Sequence, residues 1–173
     1  TGQPLPADKQ GILARLTADN LAVPNDAAGY NITNLGAILF AKKLDSFQKL
    51  KRKAVRVIVY KGNTRLETIK EQVGGLGYAS GFSRLIDFIN GLIPRNEFVG
   101  KALRKDVPMY PEIAVRELVA NALIHQDLFA VGSGPMVEIF SDRMEITNPG
   151  IPLVKTERFL DSPPKSPNEA LAS

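Results

Sequence analysis

The chain has 173 residues, of which 44% are hydrophobic and 23% charged, with a formal net charge of +4. This composition excludes disordered and fibrous proteins and fits one ordinary domain or two small ones. Cysteine is absent, which excludes disulfides and thiolate zinc sites, and no apolar run approaches the ~20 residues of a membrane helix. We therefore expect a cytoplasmic protein with no membrane partner.

The N-terminal quarter predicts two short helices. Apolar residues at helical spacing predict a helix over residues 5–16, and a loop containing Pro, Asn and Gly follows over residues 23–31. Thr33 is a suitable N-cap for a second helix over residues 34–43. This second helix is so apolar that we expect it to be buried.

A basic connection leads to the first predicted strand. Residues 54–60 alternate and are rich in β-branched side chains, which predicts a strand, and residues 64–69 fit a returning strand. Because no aromatic residue lies between Lys49 and Arg56, where the basic residues are densest, a solvated connection is favoured over a contact with phosphates. The cluster consists of Lys42, Lys43, Lys49, Lys51, Arg52, Lys53 and Arg56.

The rest of the chain mixes helices with hairpins. Helices are predicted over residues 76–93 and 112–126, and a strand over residues 97–107. Residues 136–140 and 144–147 predict a hairpin whose acidic side chains, including Glu138, decorate its exposed side. Because there is no regular βαβ alternation, the predicted fold class is α+β.

One helix carries the residues best suited to chemistry. The segment 112–126 is apolar almost all round, which predicts a helix inside the protein, yet Glu117, Asn121 and His125 recur every four residues and share one stripe. Because a buried carboxylate needs a partner, we expect this stripe to face other polar groups or a water-filled pocket. An amide oxygen is a suitable Mg²⁺ ligand, and a carboxylate one turn away can orient water. The alternative is a Glu–Asn hydrogen bond with a capping histidine at the helix end.

The spacing Glu117-x-x-x-Asn121-Ala122-x-x-His125 resembles the N-box of the GHKL superfamily of ATPases. The run from Tyr110 to Asp127, with residues 137–150, more closely resembles RecG-like transcriptional regulators, also described as ATP-dependent DNA helicase-related proteins. In that family an N-terminal Schlafen/AlbA-like DNA-binding domain precedes a divergent GHKL domain. Residues 33–40 resemble the family's connector motif, and residues 162–167 resemble a later Pro-rich motif.

The resemblance implies a domain division, a cofactor and a set of site residues. Residues 1–107 are expected to be a connector that follows a missing DNA-binding domain, and residues 108–173 to be the first half of a GHKL (Bergerat) α/β sandwich. ATP and Mg²⁺ are the implied cofactors, and DNA is the implied partner of the full-length protein. The implied roles are catalysis for Glu117, the Mg²⁺ ligand for Asn121, and nucleotide contacts for Asn121, His125, Asn148 and Gly150.

The sequence departs from the GHKL pattern after the helix. Ile146 stands where the superfamily has the Asp that recognises adenine, and Asn148 stands where it has the first Gly of that box. The Gly132–Gly134 loop leads into a strand and does not replace a phosphate loop. The chain starts without methionine and ends one turn into a helix predicted from Ser166, so we expect part of a longer protein.

Two functional hypotheses follow from these observations. In the first, the parent protein binds ATP–Mg²⁺ and couples it to DNA binding, while this part alone binds nucleotide weakly or not at all and is inactive. In the second, the domain is a non-catalytic scaffold for dimerisation or regulation that has lost its nucleotide. The loss of the adenine-recognising Asp at position 146 favours the second hypothesis.

Overall fold

The structure is a computed structural model that describes residues 6–99, 104–153, 157 and 167–168. The α-helices are α1 (Lys9–Ala18), α2 (Asn34–Phe40), α3 (Tyr78–Asn90) and α4 (Glu112–Ile124), with 3₁₀ turns at Leu44–Ser46 and Lys51–Lys53. The strands are β1 (Ala22–Pro24), β2 (Tyr30–Ile32), β3 (Arg56–Tyr60), β4 (Thr68–Val73), β5 (Arg95–Val99), β6 (Arg104–Pro108), β7 (Met136–Ile139) and β8 (Met144–Thr147). Helices and hairpins mix along the chain, which confirms the predicted α+β class.

The central sheet has four strands in the order β4-β3-β7-β8. Strand β3 pairs antiparallel with β4 and parallel with β7, where Val57 lies opposite Val137. β7 and β8 form the predicted hairpin. Two further hairpins, β1–β2 and β5–β6, lie outside this sheet. They replace the loop predicted over residues 23–31 and the single strand predicted over residues 97–107.

The core lies between one face of this sheet and the helices α2, α3 and α4. Val57 and Val137 point into it from the sheet, and Ile38 and Val119 from the helices. Burying each such aliphatic side chain contributes roughly 1.5–3 kcal/mol. The predicted N-cap at Thr33 is confirmed, since its side chain accepts a hydrogen bond from Gly36 N at the start of α2. As expected, the middle of α2 is buried.

The opposite face of the sheet contains a buried carboxylate. Glu138 is only 1% exposed, so its predicted place on the exposed side of the hairpin is wrong. Arg65 donates two hydrogen bonds to it, at 2.7 and 2.9 Å, and the Tyr60 hydroxyl donates a third at 3.0 Å. These donors offset the cost of burying the charge. The Arg65 guanidinium holds the pKa of Glu138 below its usual value.

The sheet and the core include residues on both sides of the predicted domain boundary at 107/108. Strand β3 and the helices α2 and α3 precede the boundary, and they pack against α4, β7 and β8, which follow it. The division into 1–107 and 108–173 stays a prediction, and any such division has to separate neighbouring strands of one sheet. No helix in the described ranges is both long enough and apolar enough to cross a membrane.

Candidate functional site

Helix α4 has one buried face and one open face. Val115, Val119, Ala122 and Leu123 are buried, and their i, i+4 and i+3 spacing places them on one side. The expectation of a helix inside the protein holds for this side only. Its opposite side exposes two large apolar residues, Ile113 at 64% and Leu118 at 53%. Val115, Val119 and Leu123 belong to the main hydrophobic core, whereas Glu117, Leu118 and Asn121 on the other side are exposed.

The three residues predicted from the N-box pattern lie on this open side. Glu117, Asn121 and His125 are all exposed, and in the described part of the chain no hydrogen bond or ion pair holds the Glu117 carboxylate. Two cavities, of about 410 and 920 Å³, are lined by other residues. Glu117 and Asn121 are therefore open to solvent, one helical turn apart, and line neither cavity, which differs from the polar surroundings or water-filled pocket expected for this stripe.

The predicted turn Asn148–Gly150 lies beside the C-terminal end of α4. Asp127 N donates a hydrogen bond to Pro149 O at 2.7 Å, and Gly150 has φ 133°. A Cβ at Gly150 would lie 3.2 Å from Asp127 N, so glycine permits both the backbone conformation and the close approach. The structure thus brings the turn to the Asn121 end of the helix rather than to its Glu112 end.

A buried lysine fixes the segment that follows α4. Lys53 is 3% exposed, and its Nζ donates to Asp127 O and Ala130 O, each at 2.8 Å. Burial lowers the pKa of Lys53, and the negative charge of Asp127 opposes that effect. The prediction of a solvated basic connection is therefore wrong for Lys53, because its buried ammonium group donates hydrogen bonds to two carbonyl oxygens instead of to water.

Three more side chains join the same region. Gln126 Nε2 donates to the Tyr78 hydroxyl at 2.9 Å, and that hydroxyl donates to Lys53 O at 2.6 Å. Burial raises the pKa of Tyr78. Asn168 Nδ2 donates to Ile124 O at 2.8 Å and to Gln126 O at 2.6 Å, which satisfies carbonyls at the end of α4.

Sequence patterns carry no functional signal for Tyr78, Gln126 or Asn168, and they mark Lys53 only as one of a basic run. The partners of these residues are distant in the chain, for example 74 residues for Lys53 and Asp127. No short motif encodes such contacts. The helix predicted from Ser166, and the motif at 162–167 apart from Pro167, lie outside the described residues.

The side chain at position 146 belongs to the core. Ile146 is partly buried and packs against the main hydrophobic cluster. It has no group that could bond the amino group of adenine. Within the described ranges, no three His, Asp or Glu side chains are grouped so that they could hold a metal ion. A cation at Asn121 would accordingly need oxygen ligands from a bound phosphate and from water.

Residues 132–173 match the family described as "Putative ATP-dependent DNA helicase recG C-terminal". This segment contains β7, β8, Asn148 and Gly150, and it starts after α4, so it does not include Glu117, Asn121 or His125. The resemblance to RecG-like proteins predicted from the sequence is confirmed over this segment. The match is consistent with a GHKL-like C-terminal part.

The fold is similar to the crystal structure of the DIP2311 protein from Corynebacterium diphtheriae, with a TM-score of 0.64 and 23% sequence identity. The similarity covers 86% of this chain and 29% of that one, so this chain spans less than a third of that protein. At this identity the likeness concerns the fold alone. No curated protein matches the chain.

Proposed function

We propose that this chain supplies part of a nucleotide-binding module in a RecG-like, helicase-related protein of the cytoplasm, and that the module is of the GHKL type. The observation that carries the proposal is the open stripe on α4. There Glu117 and Asn121 lie one turn apart on a face that no described element covers, while the opposite face is anchored in the core. The match over residues 132–173 supports an ATP-dependent parent.

The residues fit the phosphate and metal part of such a ligand. The exposed Asn121 amide supplies a neutral oxygen that suits Mg²⁺, and the Glu117 carboxylate can accept a proton from a water molecule beside it. When bound, ATP–Mg²⁺ would supply a phosphoanhydride bond polarised by the cation. His125, Asn148 and Gly150 lie towards the same end of the helix, where they would contact the nucleotide.

The residues do not fit the adenine part in the usual GHKL way. Ile146 is packed into the core at the position where an Asp would bond the adenine amino group. We therefore propose recognition of the Mg²⁺–triphosphate rather than of the base. ATP and GTP are expected to bind with similar affinity, and coupling to DNA is proposed only for the full-length protein.

Calorimetric titration with Mg²⁺ and a non-hydrolysable ATP analogue tests this proposal in the full-length protein and in this chain. The full-length protein is expected to bind, and this chain to bind weakly. Asn121→Ala is expected to abolish binding, because the metal loses its protein oxygen. Glu117→Gln is expected to retain binding and to lose hydrolysis. Glu112→Gln, an exposed acid on the first turn of α4, is the matched control and should change neither. Equal binding by Asn121→Ala would refute the assignment.

One observation favours a second function. Ile113 and Leu118 leave two large apolar side chains exposed beside Glu117 and Asn121, as expected of a face that docks on another protein surface. In this alternative, the domain has lost nucleotide binding, and the helix forms the interface of a homodimer or of a regulatory contact. Light scattering distinguishes the two functions. The scaffold is favoured if the protein is a dimer, if Leu118→Glu dissociates that dimer, and if nucleotide does not change the oligomeric state.

A further inference from the structure

A basic groove lies on the side of the molecule where the loop after α4 meets the 3₁₀ turn Lys51–Lys53. It has a volume of about 920 Å³, and its lining includes Lys49, Lys51, Arg52 and Lys53. Among the described residues that line it, none is an Asp or a Glu. Lys49, Lys51 and Arg52 are exposed, and no ion pair neutralises them in the described part of the chain. The groove therefore presents uncompensated positive charge.

An exposed apolar loop also lines the groove. Phe129 is 93% exposed and Val131 is 98% exposed, and both line the groove. Leaving a phenyl ring in water costs free energy that burial would recover. No aromatic residue lies between Lys49 and Arg56 in the sequence, and Phe129, about 75 residues further along the chain, supplies one in space.

Two hydrogen bonds and one packing contact fix this loop against the basic turn. Lys53 Nζ donates to Asp127 O and Ala130 O, on either side of Phe129. Within the loop, Phe129 N donates to Asp127 Oδ1 at 2.8 Å. At the far end of the loop, Gly134 packs so closely on the Arg52 backbone that a Cβ would overlap the Arg52 carbonyl oxygen. The backbone that carries Phe129 and the backbone that carries Lys51 and Arg52 are therefore held in a defined relation before any ligand arrives.

We propose that this groove binds single-stranded nucleic acid, with Lys49, Lys51 and Arg52 facing its phosphates and Phe129 stacking on a base. A cationic groove beside an exposed aromatic face matches the two needs of a flexible polyanion whose bases are unpaired. A duplex hides its base faces and would leave Phe129 unused. The inference goes beyond the nucleotide proposal and uses different residues, so Asn121→Ala leaves this binding unchanged.

Fluorescence anisotropy with a labelled oligonucleotide on the order of ten nucleotides long tests the groove at several salt concentrations. Wild-type chain binds single-stranded DNA and RNA more tightly than duplex of the same length, because the groove binds phosphates and base faces. In the triple variant Lys49→Gln, Lys51→Gln, Arg52→Gln, the slope of log K against log salt becomes shallower by about 2. Each phosphate that the variant no longer neutralises accounts for roughly 0.7 of this change.

Matched controls separate the groove from general electrostatics. Lys9→Gln, Lys42→Gln, Lys43→Gln removes the same charge from exposed positions outside the groove lining and keeps the wild-type slope. Phe129→Ala weakens binding about fivefold or more without changing the slope, and Phe129→Tyr restores it, because a ring face is what stacks. Thermal unfolding checks that each variant is folded.

Three results would overturn the proposal. The first is an equal loss of affinity in the groove triple variant and the control triple variant. The second is oligonucleotide binding that is indifferent to the ring at position 129, or tighter for duplex than for single strand. The third is the absence of oligonucleotide binding. If the groove then captures an acidic peptide, its partner is a protein.

Discussion

At the scale of single residues, buried charges decide how loops are held to the sheet. Glu138 and Lys53 are both almost fully buried, and each has partners from distant segments: Arg65 and Tyr60 for the first, Asp127 and Ala130 for the second. A buried charge without partners is strongly unfavourable. These two side chains therefore fix the β3–β4 loop and the loop after α4 in place.

Glu138 predicts an acid-sensitive stability. Because Arg65 depresses its pKa in the folded state, the stabilisation is present above the unfolded pKa of about 4.3 and is lost as pH falls through the lower folded value. At pH 7, Glu138→Gln is expected to lower the free energy of unfolding by roughly 1–3 kcal/mol, and to flatten the decline of stability below about pH 4.

Urea unfolding from pH 2 to pH 7 measures this effect, with Glu71→Gln as the control. Glu71 pairs with Arg56 at 2.7 Å, but both side chains are exposed, so its loss is expected to cost about 1 kcal/mol or less. If Glu71→Gln destabilises the protein as much as Glu138→Gln, burial of Glu138 is not what makes its ion pair important.

At the scale of elements, local patterns predicted the helices well and the contacts between segments poorly. The N-cap at Thr33 follows from local chemistry and is found in the structure, and α3 (Tyr78–Asn90) lies within the helix predicted over residues 76–93. The parallel pairing of β3 with β7 could not be predicted, because it joins strands 80 residues apart, as in Arg56 with Met136. Hydrophobic periodicity specifies a face of an element and leaves its partner open.

The candidate site shows the same limit. The Glu117–Asn121 stripe and the Asn148–Gly150 turn were predicted from spacing and family resemblance, and their roles stay predictions. Helical spacing identifies which residues share a stripe, but it does not show whether that stripe lines a pocket or faces solvent, as it does here. Composition does not indicate how many elements pack on a helix, and here only one face is covered by described residues.

The loop after α4 predicts a packing-sensitive position. Gly134→Ala is expected to destabilise the protein by roughly 1–3 kcal/mol, because the new methyl group overlaps the Arg52 carbonyl and forces the loop away from the basic turn. Gly75→Ala, where a Cβ meets nothing within 4 Å, is expected to change stability by about 0.5 kcal/mol or less. Chemical denaturation of both variants measures the difference, and equal stabilities would contradict the close packing.

At the scale of the whole molecule, one sheet and one core join the two predicted regions. Because β3 lies between β4 and β7, and the core contains both Ile38 and Val119, residues before and after position 107 stabilise one another. We expect a single cooperative unfolding transition. Hydrogen exchange under native conditions measures this, since amides of β3 and β7 should open with the same free energy. Opening of β7 well before β3 would support independent units.

The central claim is that the open stripe of α4 receives a magnesium–triphosphate at Asn121. The most direct measurement is an NMR titration of this chain with Mg²⁺ and a non-hydrolysable ATP analogue at millimolar concentration, where even weak binding is visible. We predict that the side-chain amide of Asn121 and the backbone amides of Asn148 and Gly150 shift together, only when Mg²⁺ is present, and that Asn121→Ala abolishes the shifts. Unchanged amides at these positions, or the same shifts in Asn121→Ala, would contradict the account.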